Sequence, residues 1–204
     1  MNREKFEEML ASLGRGSLSF LPPEPAVRAA DAREGARLLY EPHSHRTVEC
    51  IYLAGGAAEV FVSGRWRRFP GGETWVFLPG TLHCERRADR RSPYRIMWLV
   101  FHSQSLNVHA TCHDPSRGYY IDSRRLSART PFTGQMWETC CGLGPEPPPL
   151  MKSRFQILLM EIIFYIINNF QEICSQGPDK SAGLAEQVRS YIERNYSTED
   201  LSLK

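Results

Sequence analysis

The sequence predicts a mainly β domain followed by C-terminal helices, and two observations carry this prediction. Between residues 27 and 125, short apolar or alternating segments are separated by turn signals at intervals of about 8 to 12 residues, which is typical of a β-sandwich or barrel. After Pro149 the apolar residues recur at spacings of three and four in a segment without breakers, which is typical of a helix.

Composition excludes several classes of protein. The chain has 204 residues, of which 42% are hydrophobic, and its ten Phe, eight Tyr and four Trp supply enough apolar surface to exclude disorder as the main state. The net charge of +2 is too small to mark the whole chain as a nucleic-acid binder. Glu161 and Glu172 interrupt the most apolar stretch, whereas a membrane span needs about 20 predominantly apolar residues.

The N-terminal segment MNREKFEEML carries acidic residues where a secretory segment has its apolar core. We therefore expect no signal peptide, no membrane association and a cytoplasmic protein. The six cysteines are irregularly spaced without a CxxC pair, so we expect reduced core thiols and not a disulfide framework.

The first predicted element is an amphipathic helix over residues 2–13, with Asn2 as N-cap and Phe6, Met9 and Leu10 on one face. The LPPEP segment then breaks the chain. Ser63-Gly64 predicts a tight turn within a hairpin, and Pro79-Gly80 closes a later corner. The predicted strands cover residues 36–40, 47–53, 57–62, 65–69, 74–78, 83–87, 95–102 and 107–112.

A long helix is predicted over residues 152–174, with a length of about 35 Å. Its apolar residues form two stripes, so one face can cover the β domain and the other is left for a dimer contact or for burial within the same domain. QGPDKSAG then predicts a linker, and residues 184–196 a further helix. The first stripe comprises Phe155, Leu159, Ile162, Ile166 and Ile173, and the second comprises Leu158, Ile163, Ile167 and Phe170.

Strand periodicity places two histidines and one carboxylate on a common face, and a third histidine lies on a later strand. His43 and His45 alternate in an extended segment, and Glu49 shares their face if the phase holds. His83 follows the Pro79-Gly80 corner on a later strand. Such a set suits Zn, Ni, Mn or Fe, with a coordination position left open for a ligand.

These residues resemble the paired motifs of the cupin superfamily over residues 36 to 103. The resemblance implies a cupin-type jelly-roll β-barrel. Two positions depart from the pattern, since Leu78 stands where a Pro is usual and Arg87 where an Asn often closes the motif. The first motif is matched by His43, His45, Glu49 and Gly56, and the second by Gly72, Gly80 and His83.

The C-terminal segment GLAEQVRSYIERNYSTEDLSLK resembles the opening of the AraC-type DNA-binding domain, and YRIMWLVF resembles the last large barrel strand of that family. The resemblance implies an effector-binding and dimerisation domain of an AraC-family transcription regulator, not an enzyme, acting as a homodimer. The matching positions are Tyr191, Ile192, Asn195, Tyr196, Leu201, Ser202 and Leu203.

The resemblance divides the chain into five parts. We expect an N-terminal helix and arm (1–25), an effector-binding barrel with a loop (26–148), a long packing or dimerisation helix (149–175), a linker (176–183) and a truncated start of the helix-turn-helix domain (184–204). No recognition helix is expected here, so we expect DNA contacts only through a missing C-terminal domain and no DNA-binding residue within this chain.

In sugar-sensing members of the family, a Trp on the matching strand packs against the effector. The resemblance therefore implies that Trp98 and Ile96 contact the effector, expected to be a sugar or a small organic acid. His45, Glu49 and His83 would anchor it through hydrogen bonds. Tyr40 is a further candidate for the wall of the same pocket.

Three interpretations of the His43, His45, Glu49 and His83 cluster stay open: a divalent metal site, a metal-free effector pocket, and purely structural histidines. A metal-dependent cupin enzyme of the sugar isomerase or dioxygenase type is the alternative function. The basic segments at 65–69 and 85–91 are interpreted as a solvated face or a guarded sheet edge, and not as a nucleic-acid site.

Overall fold

The computed structural model describes residues 7–8, 10–13, 16–24, 41–89, 91–144 and 146–175. Within these residues the chain is mainly β with helices at the C-terminal end, as predicted. The strands are β1 (Ser17–Leu21), β2 (Glu49–Gly56), β3 (Ala58–Val62), β4 (Arg65–Arg68), β5 (Glu73–Phe77), β6 (Cys84–Arg87), β7 (Tyr94–Phe101), β8 (Leu106–Asp114) and β9 (Gly118–Ala128). The helices are α1 (Thr133–Cys141), α2 (Pro149–Asn168) and α3 (Phe170–Ser175).

The strands form two sheets that share an apolar core. The larger sheet has the order β1-β5-β2-β7-β8-β9 and the smaller one the order β4-β3-β6. β1 pairs with β5 in parallel, and the other pairs are antiparallel. Alternate residues of both sheets face each other across this inner core, which contains Ile51, Leu53, Val60, Val62, Phe69, Trp75, Phe77, Ile96 and Trp98.

The opposite face of the larger sheet packs on helices. Cys50, Val76 and Leu99 belong to a second core together with Phe155 and Ile162 of α2. These sheet residues alternate with the inner-core residues along their strands, so one strand supplies both cores. The fold therefore has one core between the two sheets and a second core between the larger sheet and the helices.

The predicted hairpin at residues 63–64 is confirmed. Ser63 has φ 54° and Gly64 φ 72°, and β3 and β4 pair directly on either side of them. Two consecutive residues with positive φ are typical of the two-residue turn whose twist matches that of paired strands.

Each predicted strand between residues 47 and 112 overlaps an observed one, but β1, β9 and α1 were not predicted. β1 (SLSFL) is short and partly polar, and it forms because its backbone pairs with the edge of β5. β9 contains several charged residues and forms along β8. Tertiary pairing outweighs local propensity at both places. The predicted strand at 36–40, the linker and the last helix lie outside the described residues.

The predicted long helix is two helices. α2 begins at Pro149, where the fixed φ of proline suits the first helical position, and ends before Asn169, which separates it from α3. The described helices include none that is long and apolar enough to cross a membrane.

The second apolar stripe is buried within the same domain, which was one of the two predicted alternatives, and is not left for a partner. Leu158 and Ile163 are buried in the same core as the first stripe, and Ile167 packs against that core. The exposed apolar residues of α2 lie on a different line, at Leu150, Ile157 and Phe164, which are 80%, 61% and 58% exposed.

Candidate functional site

Backbone pairing brings the two histidine segments together. His43 and His83 form an isolated antiparallel bridge, in which each backbone N–H donates to the carbonyl oxygen of the other at 3.1 and 2.9 Å. The N–H of Gly80 donates to the carbonyl oxygen of His45 at 2.7 Å. The corner before β6 is therefore tied to the segment before β2, and this connection positions the side chains of both.

The three predicted histidines lie together. The ligand nitrogens of His43, His45 and His83 are all within 4.8 Å of one another. Their ring centroids are 4.7 to 5.6 Å apart. His83 is buried, whereas His43 and His45 are partly exposed, so the cluster lies where the interior meets the surface.

The predicted carboxylate contacts this cluster. Glu49 is 3% exposed, with one carboxylate oxygen 3.4 Å from His45 Nε2 and the other 3.2 Å from His83 Nε2. Burial raises the pKa of Glu49, and the neighbouring His45, His43 and His102 act in the opposite direction. The carboxylate is thus held beside two imidazoles at the inner side of the cluster.

Backbone carbonyls fix the ring nitrogens that could bind a metal. His43 Nδ1 lies 2.7 Å from the carbonyl oxygen of Glu41, and His83 Nδ1 lies 2.9 Å from that of Thr81. Because a carbonyl only accepts, each Nδ1 donates, and Nε2 of the neutral ring keeps its lone pair. Metal-binding histidines are commonly oriented in this way.

His83 is neutral at pH 7, because burial lowers its pKa to about 4. Its Nε2 and the facing oxygen of Glu49 are both buried, and neither has an aligned hydrogen bond among the described residues. Two acceptors that face each other at 3.2 Å need a proton or a cation between them. The residues present therefore fit a divalent transition metal, held by the three histidines with Glu49 beside them.

The predicted effector-contact residues of β7 lie in the inner core. Ile96 is fully buried, and Trp98 is 6% exposed with its ring 5.8 Å from that of His83. The Trp98 indole N–H donates to the hydroxyl of Thr111 at 2.8 Å. Tyr40, the last predicted wall residue, lies outside the described residues.

Glu85 is a buried acidic residue that the sequence interpretation missed. It was assigned to a solvated face, yet it is fully buried and its carboxylate accepts hydrogen bonds from Tyr94 at 3.0 Å and Thr111 at 2.9 Å. Burial raises the pKa of Glu85 to about 7, although these hydrogen bonds oppose the shift. The signal in the sequence was the spacing of two from His83, which places both side chains on one face of the extended segment that leads into β6.

The basic segment at 65–69 is also not purely a solvated face. Trp66 Nε1 and Arg67 Nε are buried, and neither has a hydrogen-bond partner among the described residues. On the outer face of the same sheet, the Arg86 guanidinium lies 4.0 Å from the centre of the Trp66 ring and binds Glu59 at 2.7 Å. The strand alternation thus sends one arginine inward and leaves its neighbours outside.

Comparison with known proteins identifies no relative. No family model matches the chain, and neither a curated protein nor a solved structure matches it.

Proposed function

We propose that the chain is the effector-binding and dimerisation part of an AraC-type transcription regulator, built on a cupin-type jelly-roll barrel. It is not an enzyme, acts in the cytoplasm, and reaches DNA only through a C-terminal helix-turn-helix domain. The regulator part of this proposal rests on the sequence resemblance at residues 184–204.

The polar lining of the inner core is the observation that carries the effector part. His83, Glu49 and Glu85 are buried between the sheets, where apolar side chains would stabilise the fold better. Buried polar groups that cost stability are commonly retained because they bind something. Trp98 lies between the histidine cluster and the Glu85 hydrogen bonds, so a ligand there would meet both.

The exposed line of α2 supports dimerisation. Leu150, Ile157 and Phe164 recur every seven residues, which places them on one side of a helix as in a coiled-coil seam. Burying such a row of large apolar side chains against a second helix removes them from water, which stabilises the contact between the two helices. We assign this row to a contact with α2 of a second copy of the chain.

The N-terminal arm is connected to the histidine cluster through one residue. The hydroxyl of Thr81 donates to the carbonyl oxygen of Leu21 at 2.8 Å, and the carbonyl of Thr81 accepts from His83 Nδ1. A ligand that shifts His83 therefore acts on the end of β1. This contact supports the hypothesis that effector binding changes how the arm packs, provided that the effector binds one arrangement better than the other.

A metal-dependent enzyme is the second candidate, favoured by the orientation of His43 and His83. A bound divalent metal would act as a Lewis acid that polarises a carbonyl oxygen. The three histidines would hold it, and Glu49 would accept or return a proton beside it.

Native mass spectrometry of the purified chain, without added metal or chelator, tests the proposal. A dimer without metal, or with a retained small organic molecule, is the expected result. A monomer with one transition metal per chain, lost in the His43→Ala/His45→Ala variant, would favour the enzyme instead.

A further inference from the structure

The inner face of the smaller sheet carries a carboxyl group and a guanidinium that do not pair with each other among the described residues. Glu85 of β6 and Arg67 of β4 both pair with Val60 of the central strand β3. Directly opposed residues of antiparallel strands project to the same face, and Val60 belongs to the inner core. Glu85 and Arg67 therefore face the interior, one on each side of Val60.

The carboxylate of Glu85 has only neutral partners. Tyr94 and Thr111 each donate to one of its oxygens, and the Thr111 hydroxyl in turn accepts from Trp98. Among the described residues, no basic side chain forms an ion pair with Glu85. A carboxylate can accept about four hydrogen bonds, so it has capacity for further donors.

Arg67 presents the complementary deficit. Its Nε is buried and has no acceptor among the described residues. The Arg67 side chain as a whole is half-buried, and a guanidinium stays charged and offers five donors, so its buried Nε–H is the donor left for a ligand on the inner side. The backbones of β4 and β6 are about 10 Å apart, at two strand spacings, and Val60 lies between them.

We propose that this inner face binds a small zwitterion of the amino-acid class, whose ammonium group pairs with Glu85 and whose carboxylate pairs with Arg67. One ligand then supplies a charged partner to each of the two groups. Aromatic side chains surround the Glu85 end, where the ring of Tyr94, whose hydroxyl donates to Glu85, lies 5.9 Å from that of His113 and 6.2 Å from that of Tyr119.

This inference rests on the proposed effector-binding function and narrows its ligand. A simple organic acid would meet the negative charge of Glu85, and a sugar would neutralise neither Glu85 nor Arg67. Both were expected from the sequence resemblance, and both serve as comparison ligands in the test.

Thermal unfolding of the complete chain is measured with each of the twenty common amino acids, with arabinose, xylose and glucose, and with succinate. We expect at least one amino acid to raise Tm by roughly 3 °C or more at saturation. Calorimetric titration then compares that amino acid with its methyl ester, which lacks the carboxylate, and its N-acetyl derivative, which lacks the ammonium.

Two variants assign the ends of the ligand. Glu85→Gln should weaken binding of the amino acid roughly tenfold or more and leave binding of the N-acetyl derivative unchanged. Arg67→Gln should likewise weaken binding of the amino acid roughly tenfold or more and leave binding of the methyl ester unchanged. Arg68→Gln is the matched control, because Arg68 is exposed and lies opposite Glu59 in the strand register, on the outer face of the sheet. This variant should bind the amino acid as the wild type does.

If a sugar or succinate raises Tm and no amino acid does, the inference is wrong while the effector-binding function stands. If both variants bind the amino acid as tightly as the wild type does, the assignment of the site to Glu85 and Arg67 is wrong. If no probe raises Tm, the inference is overturned, and the dimer measurement tests the proposed function separately. Should Glu85→Gln not fold, the Arg67→Gln comparison with the methyl ester decides alone.

Discussion

Glu85 and the histidine cluster place polar side chains where the fold would gain more from apolar ones. The cost is reduced by hydrogen bonds from Tyr94 and Thr111 at Glu85 and by backbone carbonyls at His43 and His83. The histidines could be predicted from their spacing in the chain. Glu85 could not, because it stands in a run of charged residues that resembles an exposed strand.

Glu85→Gln should make stability less dependent on pH. The pKa of Glu85 rises from 4.5 to about 7 on folding, so the folded state holds the proton more tightly. The free energy of unfolding of the wild type therefore falls as pH rises from 4.5 to 7 and is level above that. From pH 5 to pH 8 the free energy of unfolding of the variant should rise by up to about 3 kcal/mol relative to that of the wild type. Urea unfolding with a chelator present measures this difference.

The groups facing Glu85 are Tyr94 of β7, Thr111 of β8 and, behind Tyr94, His113. The matched control is Glu59→Gln on the outer face of the same sheet, where Glu59 pairs with Arg86. Its difference from the wild type should be similar at both pH values. An equal difference at both pH values for Glu85→Gln would contradict the prediction.

Alkylation should separate the cysteines by burial. Cys141 is exposed, whereas Cys50, Cys84 and Cys140 are buried free thiols. Burial raises the pKa of Cys84 to about 12 and that of the other two buried thiols as well, so little thiolate is present. With iodoacetamide at pH 8, peptide mapping should find Cys141 modified roughly tenfold faster or more. Comparable modification of Cys84 would contradict the buried assignment.

Among the elements, the central strands and the α2 helix were predictable, and the edge strands of the larger sheet, β1 and β9, were not. β2, β5 and β7 have strong alternating or apolar patterns, because they face two cores at once. β1 and β9 depend on partners distant in the chain. The surface of α2 that stays exposed also depends on packing, because only the structure decides which apolar stripe the sheet covers.

Gly56 is required at the end of β2. It has φ 78°, and a Cβ there would collide with the backbone carbonyl of Pro93. Gly56→Ala should therefore lower the free energy of unfolding by about 2 kcal/mol or more. At the neighbouring Gly55 a Cβ would meet no atom within 4 Å. Gly55→Ala should therefore change the free energy of unfolding by less than about 1 kcal/mol. Equal effects in denaturant unfolding would contradict this explanation.

The exposed line of α2 should control the oligomeric state. Ile157→Asp places a charge in the proposed seam between two helices, so the dimer should dissociate at least tenfold more readily, as measured by analytical ultracentrifugation. Gln156→Asp adds the same charge at an exposed neighbouring position and should remain dimeric. Retained dimerisation in Ile157→Asp would show that another surface joins the copies.

At the scale of the whole molecule, the N-terminal segment is part of the fold and not a loose attachment. Leu10 and Leu13 are fully buried in the core behind the larger sheet, and the carbonyl of Leu13 accepts a hydrogen bond from Thr74 at 3.1 Å. β1 then extends the sheet along β5. Any movement of the arm on effector binding must therefore leave this anchorage in place or disrupt a buried core.

Leu13→Ala should destabilise the whole domain by about 2–5 kcal/mol, because it opens a cavity in that core. Glu8→Ala changes an exposed position in the same helical segment and should have an effect within about 0.5 kcal/mol. Urea unfolding of both variants provides the measurement. An equally small effect of Leu13→Ala would mean that the segment does not pack as described.

The sequence by itself determined the β-to-α order, the hairpin at Ser63-Gly64 and the grouping of His43, His45 and Glu49, because each depends on short-range periodicity or turn chemistry. The cupin resemblance predicted that His83 joins them, and this contact depends on the backbone bridge between His43 and His83, which lie far apart in the chain. Tertiary structure alone decided that Glu85 and Arg67 face inward and that Leu150, Ile157 and Phe164 stay exposed. Those outcomes depend on which strand pairs with β3 and which helix face meets the larger sheet. Both are set by contacts between residues far apart in the chain.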